Sequence, residues 1–266
     1  MNKTKPIRIA IHGAAGRMGQ RLVALGCNDS ELKIVAAIEA DSHPRLGYDA
    51  GDVAGIGKIN IVIADTLACD ADAVIDFSSP TAVDNVITLC VEKHIPLVLA
   101  TTGLSPEQQQ RVKDSAKLIP VLWSPSMSQA VILTMKLSQI AAEALRGSDA
   151  DVEIIERHHR YKVDAPSGTA LKFGEKITAV MGQSTQRHGR DGKVGERPHN
   201  EIGYHAIRCG DNVGEHTIVF GMLGETLELT VKASNRDCYA LGALIAAKYL
   251  HGKPPALYSM EDVLGL

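Results

Sequence analysis

Between Glu156 and Ala170 the chain reads ERHHRYKVDAPSGTA. His158, His159, Arg160 and Lys162 fall within five residues, and Ser167-Gly168-Thr169 follows at a predicted helix start. A histidine can hand over a proton near neutral pH. Its basic neighbours add charge-assisted hydrogen bonds to carboxylates. The hydroxyls of Ser167 and Thr169, with the unpaired amides of a helix N-terminus, make an anion site. A small dicarboxylate suits this arrangement better than a neutral molecule. The competing readings are a solvated basic loop before a capped helix and a metal site. The second fails on ligands: adjacent residues of a strand point to opposite faces, and no cysteine or carboxylate cluster completes a set. No metal is expected.

A second constellation lies near the N-terminus. Gly13-Ala14-Ala15-Gly16-Arg17-Met18-Gly19 follows an apolar run and opens an amphipathic one. Glycines let a backbone approach a pyrophosphate, and the helix behind them offers free N–H groups and a positive dipole end. Glu39 stands 20 residues after Gly19, at the end of the next apolar run. An acid there can accept from both adenosine ribose hydroxyls. Strand, glycines, helix and acid together outweigh a ligand-free tight turn. Ala100-Thr101-Thr102-Gly103 follows another strand and could meet the nicotinamide end, although an ordinary turn would look the same.

The elements that must position these residues are legible as apolar runs and helical faces. Strands are expected at Ile7–Ile11, Leu32–Glu39, Ile61–Ala64, Ala73–Phe77, Pro96–Ala100 and Ile119–Trp123. Helices are expected at Arg17–Cys27, Pro80–His94 and Glu107–Ala116, with Ser79-Pro80 and Ser105-Pro106 as cap-then-proline starts. Buried strands alternating with helices imply a doubly wound parallel sheet. Beyond Pro125 the pattern changes. A helix from about Gln129 to Leu145, a strand at Asp151–Arg157 and a helix from Ser167 to about Met181 precede a charged, glycine-containing loop at Gln183–Asn200. Strands at Glu201–Cys209, Glu215–Met222 and Thr226–Ala233 with short links imply an antiparallel or mixed sheet, before a last helix at Asp237–Leu250. The fold class is therefore α/β with a second, α+β part.

Bulk properties set limits. The 266 residues suffice for two domains. A net charge of −3 supplies no global field for nucleic acid or an anionic membrane. The apolar run in MNKTKPIRIAIHG is too short for a signal-peptide core or a membrane span. Five cysteines, an odd number without a C-x-x-C pair, fit a reducing, cytoplasmic setting. All five read as small buried apolar residues.

Along nearly its whole length the chain resembles the 4-hydroxy-tetrahydrodipicolinate reductase family. The resemblance rests on GAAGRMG at Gly13–Gly19, TTG at Thr101–Gly103, ERHHRYKVDAPSGTA at Glu156–Ala170, GDNVGEHT at Gly210–Thr217 and KASNR at Lys232–Arg236. It implies a Rossmann-like dinucleotide-binding domain, residues 1–126 and 237–266, and a substrate-binding and oligomerisation domain, residues 127–236. The implied reaction is reduction of 4-hydroxy-tetrahydrodipicolinate to tetrahydrodipicolinate with loss of water, in lysine and diaminopimelate biosynthesis. By resemblance His158 is the general acid, and Lys162 assists proton transfer and holds substrate. His159, Lys162, Ser167, Gly168 and Thr169 grip carboxylates. The cofactor contacts implied are Gly13 to Gly19, Glu39, Ala100, Thr101, Thr102, Ser124 and Met127. A homotetramer is implied, as are hinge strands near Ser124–Ser128 and Ser234–Asp237.

The chain also departs from the family pattern. Ser126 and Ala130 stand where Asn and Gly are usual, Ala100 where glycine precedes the two threonines, and Tyr161 where histidine is common. Family members that use the phosphorylated cofactor well tend to carry a basic residue after the acid of the second strand. Here the pair is Glu39-Ala40, so NADH is expected to be preferred with NADPH tolerated. Another small-substrate dehydrogenase and a non-catalytic dinucleotide sensor are the rival readings. The His158-to-Ala170 match argues against the first, and retention of His158 and Lys162 against the second.

Overall fold

The computed structural model describes residues 5–124 and 126–266. Residues 1–4, where the terminal segment begins, and Pro125 of the SPSMSQAV stretch lie outside the described residues. The chain divides into two compact units, one running to Gln129 and resuming at Arg236–Leu266, the other Ala130–Asn235.

The first unit contains β1 (Ile7–His12), α1 (Arg17–Cys27), β2 (Leu32–Ile38), α2 (Ala50–Val53), β3 (Ile63–Ala64), β4 (Ala73–Asp76), α3 (Pro80–Glu92), β5 (Leu97–Leu99), α4 (Pro106–Ser115) and β6 (Pro120–Trp123). Then come α5 (Gln129–Leu145), β7 (Asp151–His158), α6 (Gly168–Met181), β8 (Thr185–His188), β9 (Glu201–Arg208), β10 (Glu215–Met222) and β11 (Glu225–Lys232). The chain finishes in the first unit with α7 (Asp237–Leu250), β12 (Ala256–Tyr258) and α8 (Met260–Leu264).

The first sheet is parallel, in the order β12-β6-β5-β4-β1-β2-β3. Its central strands are buried on both faces, which is why Ile9–Ile11, Ala73–Ile75 and Leu97–Leu99 are unbroken apolar runs. The order reverses at β1, whose neighbours are β2 and β4, and ligands of such sheets bind at that switch point, beyond the carboxyl ends of the strands. Helix α7 lies close against this unit: a Cβ on Gly242 would come within 1.7 Å of the Met127 carbonyl oxygen.

The second sheet has the order β11-β10-β7-β9-β8 and is mixed. β10 runs antiparallel to β7 and β11, while β7, β9 and β8 are parallel. Along β7 burial alternates, so Val152, Ile154, Glu156 and His158 face inward. Ile218 and Phe220 lie beside Ile154 and Val152 in register, and Phe173 and Ile177 of α6 are buried as well. The apolar end of this face is a core; its far end is polar.

Three expectations need correction. The segment Gln183–Asn200 is not all loop, because Thr185–His188 pairs with β9. Every residue of β8 is exposed, so no apolar alternation marks it. Only Cys90 is buried among the cysteines; Cys27, Cys69 and Cys209 are exposed and Cys238 is intermediate. Cys27 closes α1, and Cys69 and Cys209 lie outside the strands. Ser79 sits at the α3 N-cap without a side-chain capping bond, its hydroxyl pairing instead with that of Thr81 at 2.8 Å. Ser105, by contrast, forms a full capping box with Gln108. The short elements α2, β12 and α8 had no counterpart in the sequence reading. No helix among the described residues is long and apolar enough to cross a membrane.

Candidate active site

The glycine loop closes the end of β1 by using its own amides. Gly13 and Ala14 donate to the Ile38 carbonyl at 2.9 and 3.2 Å, and Gly16 to the Gly13 carbonyl at 3.1 Å. Ala15 N donates to Glu39 Oε1 at 2.7 Å, which ties the acid of β2 to the loop. The remaining donors are the first-turn amides of α1, at Arg17, Met18 and Gly19, which have no acceptor one turn back. Gly16, the N-cap, adds no side-chain bond, and the first turn holds no acid. Glycine is required at two places for different reasons. Gly13 has φ +79°, and a Cβ there would lie 2.7 Å from the Phe77 carbonyl oxygen. A Cβ on Gly19 would lie 2.1 Å from the Gly13 carbonyl oxygen.

Beside the loop is a cleft of about 560 Å³, lined by Gly13, Gly16, Glu39, Ala40, Asp41, His43, Asp65 and the Phe77–Ser79 turn. Its lining holds three carboxylates and, among the described residues, no lysine or arginine. A bare-backbone cradle, first-turn amides and an acid at the end of β2 fit a dinucleotide.

The strand ends beneath the cleft are tied by a buried network. Asp76 Oδ1 lies 2.5 Å from His12 Nδ1 and accepts from Ser78 Oγ at 2.6 Å; its Oδ2 accepts from Thr101 Oγ1 at 2.5 Å. The Thr101 hydroxyl also accepts from Ser78 N at 3.1 Å, so it braces β4 against the turn after β5. Thr102 is exposed. Ala100, Ser124 and Met127 are buried, with Ser124 Oγ donating to the Ser126 carbonyl at 2.6 Å. Buried Ser126 Oγ has no hydrogen-bond partner among the described residues.

In the second unit the polar end of the inner sheet face gathers Glu156 and His158 from β7, Arg208 from β9 and His216 from β10. His158 Nδ1 donates to Glu156 Oε2 at 2.6 Å, and Arg208 holds both carboxylate oxygens at 2.8 Å. Ser167 N donates to Glu156 Oε1 at 3.0 Å. Burial pushes the Glu156 carboxyl up, but the bonds from His158 and Arg208 outweigh it and leave it at about 2. Burial, aided by the charge of His158, pushes His216 down to about 4.

The structure gives the Ser167 hydroxyl a different duty from an open anion contact. It caps α6 by accepting from Ala170 N at 3.1 Å and lies 3.0 Å from His216 Nε2, fully inside. Lys162 Nζ instead donates to Asp164 Oδ1 at 2.7 Å. Burial pushes the Asp164 carboxyl up, but that pair holds it below its usual range. Gly168 is exposed and Thr169 half-buried. His159 Nδ1 is buried and has no partner among the described residues. Glu156, Arg208 and His216 were not assigned roles from sequence. The alternation Val152, Ile154 would have put Glu156 and His158 on one inner face. Among the described residues no group of three or more His, Cys, Asp or Glu could hold a metal ion.

Comparison with known proteins supplies the context. Residues 7–127 match the family model described as dihydrodipicolinate reductase, N-terminus, and residues 130–264 the one described as dihydrodipicolinate reductase, C-terminus. A 4-hydroxy-tetrahydrodipicolinate reductase of Rhodopirellula baltica is 55% identical, covering 100% of this chain and 98% of its own. One from Hahella chejuensis is 44% identical over 97% of this chain and 99% of its own. Among solved structures, a dipicolinate-bound dihydrodipicolinate reductase from Paenisporosarcina sp. TG-14 superposes with a TM-score of 0.78 at 26% identity, over 97% of this chain and 99% of that one.

Proposed function

The chain belongs to the dihydrodipicolinate reductase family, and from that premise we propose how its own residues divide the reaction and which cofactor they favour. The reaction is the reduction of 4-hydroxy-tetrahydrodipicolinate, in lysine and diaminopimelate biosynthesis. One hydride and one proton enter the substrate and one water leaves, giving tetrahydrodipicolinate. When bound, the reduced nicotinamide supplies the hydride. The first unit holds the dinucleotide through the α1 amides and the glycine loop. The second unit holds the substrate, and His158 delivers the proton.

One observation carries the substrate assignment: the lysine proposed to grip a substrate carboxylate already grips one. Lys162 Nζ donates to the Asp164 carboxylate at 2.7 Å. A substrate carboxylate takes this donor as Asp164 gives way, and the first-turn amide of Gly168 adds to it from α6. Thr169 and His159, whose Nδ1 has no other partner, complete the grip. Ser167 stands behind it as the helix cap. Dipicolinate, the ligand of the Paenisporosarcina relative, is a planar diacid of this kind. It is expected to inhibit competitively against substrate, and Lys162→Ala is expected to raise its inhibition constant and to lower kcat. An unchanged inhibition constant in that variant overturns the grip.

For the cofactor, the cleft lining favours two free ribose hydroxyls. Glu39 accepts from them, whereas a 2′-phosphate would face Glu39 with Asp41 and Asp65 nearby. At ~5 Å and an effective dielectric of ~20, two unit charges repel by roughly 3 kcal/mol before screening. Of the basic residues in the neighbouring loops only His43 lines the cleft. The Arg45 guanidinium instead lies 5.8 Å from the Tyr48 ring centroid. NADH is therefore the preferred cofactor and NADPH the tolerated one. A cytoplasmic homotetramer, in which other subunits cover the second sheet, completes the proposal.

A further inference from the structure

Glu156 has no role in the grip or the cleft, yet it is a fully buried carboxylate of the second unit with both oxygens engaged. It is 0% exposed and accepts four hydrogen bonds: one from His158, two from Arg208, one from the Ser167 amide. Both oxygens are used, and Arg208, next to His158 in the β7–β9 register, compensates the charge. Such a carboxylate stays ionised at any working pH, so it accepts hydrogen bonds and donates none. The hydrogen on His158 Nδ1 is then held in both charge states of the ring, and Nε2 becomes the atom that gains and loses the proton. His216, opposite Glu156 in the β7–β10 register, sets its ring edge-on to His158 with centroids 5.2 Å apart. It is neutral at working pH, and its Nε2 is turned to Ser167. Arg160, Lys162 and Asp164 are the charged groups on the following turn, the last two paired with each other.

We propose that Glu156 is a positioning residue for the proton transfer. It locks His158 as the Nδ1–H tautomer with Nε2 as the acid. Through the Ser167 amide it also fixes that ring against the helix end that takes the substrate carboxylate. The inference rests on His158 being the proton donor. It adds that the acid and the grip share one buried anchor, which is how a proton donor on a strand and an anion site on a helix keep a fixed spacing.

The test is a double-substitution cycle read on kcat, with 15N spectroscopy of His158 beside it. Gln at position 156 keeps the size and one accepting oxygen, but turns an amide NH2 toward the Arg208 guanidinium, which only donates, and toward His158 Nδ1, which it drives to the accepting tautomer. Glu156→Gln is expected to lower kcat on the order of 10²-fold, the size of a misplaced reacting group. The inhibition constant of dipicolinate is expected to move far less, because the remaining oxygen still accepts from Ser167. In a His158→Gln background the same change is expected to add no more than about twofold, the scatter of independent sites. An equal loss in both backgrounds, or a Glu156→Gln enzyme as fast as wild type, overturns the proposal. Wild-type neutral His158 is expected to show the Nδ1–H tautomer, and an Nε2–H signature overturns it even where the variants fail to fold. If His158→Gln itself turns over normally, the proton-donor reading falls, while the tautomer measurement still decides whether Glu156 orients the ring.

Discussion

Ala40 follows Glu39 at the mouth of the acidic cleft, and both residues line it. A guanidinium placed there would sit beside the position of a 2′-phosphate and would offset the carboxylates that now disfavour it. Ala40→Arg is therefore expected to shift the kcat/KM ratio toward NADPH from a wild type that favours NADH, both measured at one ionic strength. A wild type that favours NADPH contradicts the charge argument, and an unchanged ratio in the variant removes Ala40 from the ribose end. At this scale the sequence was partly transparent. The glycine spacing, Glu39, His158 and Lys162 are local and carry their chemistry in their types. The rest of the network around His158 is not local: Arg208 is 52 residues from Glu156, and His216 is 49 from Ser167. Only the sheet register brings them together, and one sequence does not state a register. The exposed state of Cys27, Cys69 and Cys209 was missed for a related reason, since residue type predicts burial only on average.

Among the elements, the segment after β8 shows how a charged stretch is fixed. It read as a loop because it lacks apolar alternation, yet its arginines fold back onto the sheet. Arg197 donates to Asp151 Oδ1 at 2.6 Å and Glu153 Oε1 at 3.0 Å, and also to the Val152 and Glu201 carbonyls. Arg190 reaches Glu153 at 2.7 Å and also pairs with Glu201. Gly203 makes room, since a Cβ there would fall 1.8 Å from Glu153 Oε2. Burial raises the Glu153 carboxyl, but Arg190, His205 and Arg197 more than reverse this and hold it at about 2, against an ordinary 4.5. A carboxyl depressed in the folded state gives stability that is complete above its unfolded value and lost as pH falls from there toward the folded value. The window here runs from about pH 4.5 down to about 2. The contribution is on the order of 3 kcal/mol before screening at this half-covered site. Glu153→Gln is expected to be less stable at pH 7 and to lose less on acidification, as read from urea midpoints between pH 6 and 3. Parallel pH profiles for variant and wild type would contradict the clamp. Strands β1 to β6 of the parallel sheet, in contrast, are legible to within a residue or two, because strands buried on both faces must be apolar throughout; the edge strand β12 is not.

For the whole molecule, we assign the dinucleotide to the unit with the parallel sheet and the proton donor to the unit with the mixed one. Both family models match, one over each part of the chain. The central claim is that His158 supplies the proton that accompanies the hydride. The most direct measurement is kcat of His158→Gln with NADH, the unstable substrate being generated in place by a dipicolinate synthase and turnover followed by nicotinamide absorbance. The account predicts a fall of about 10²–10⁴-fold, the usual loss on removing one positioned acid, with inhibition by dipicolinate retained. Turnover near the wild-type rate would contradict it.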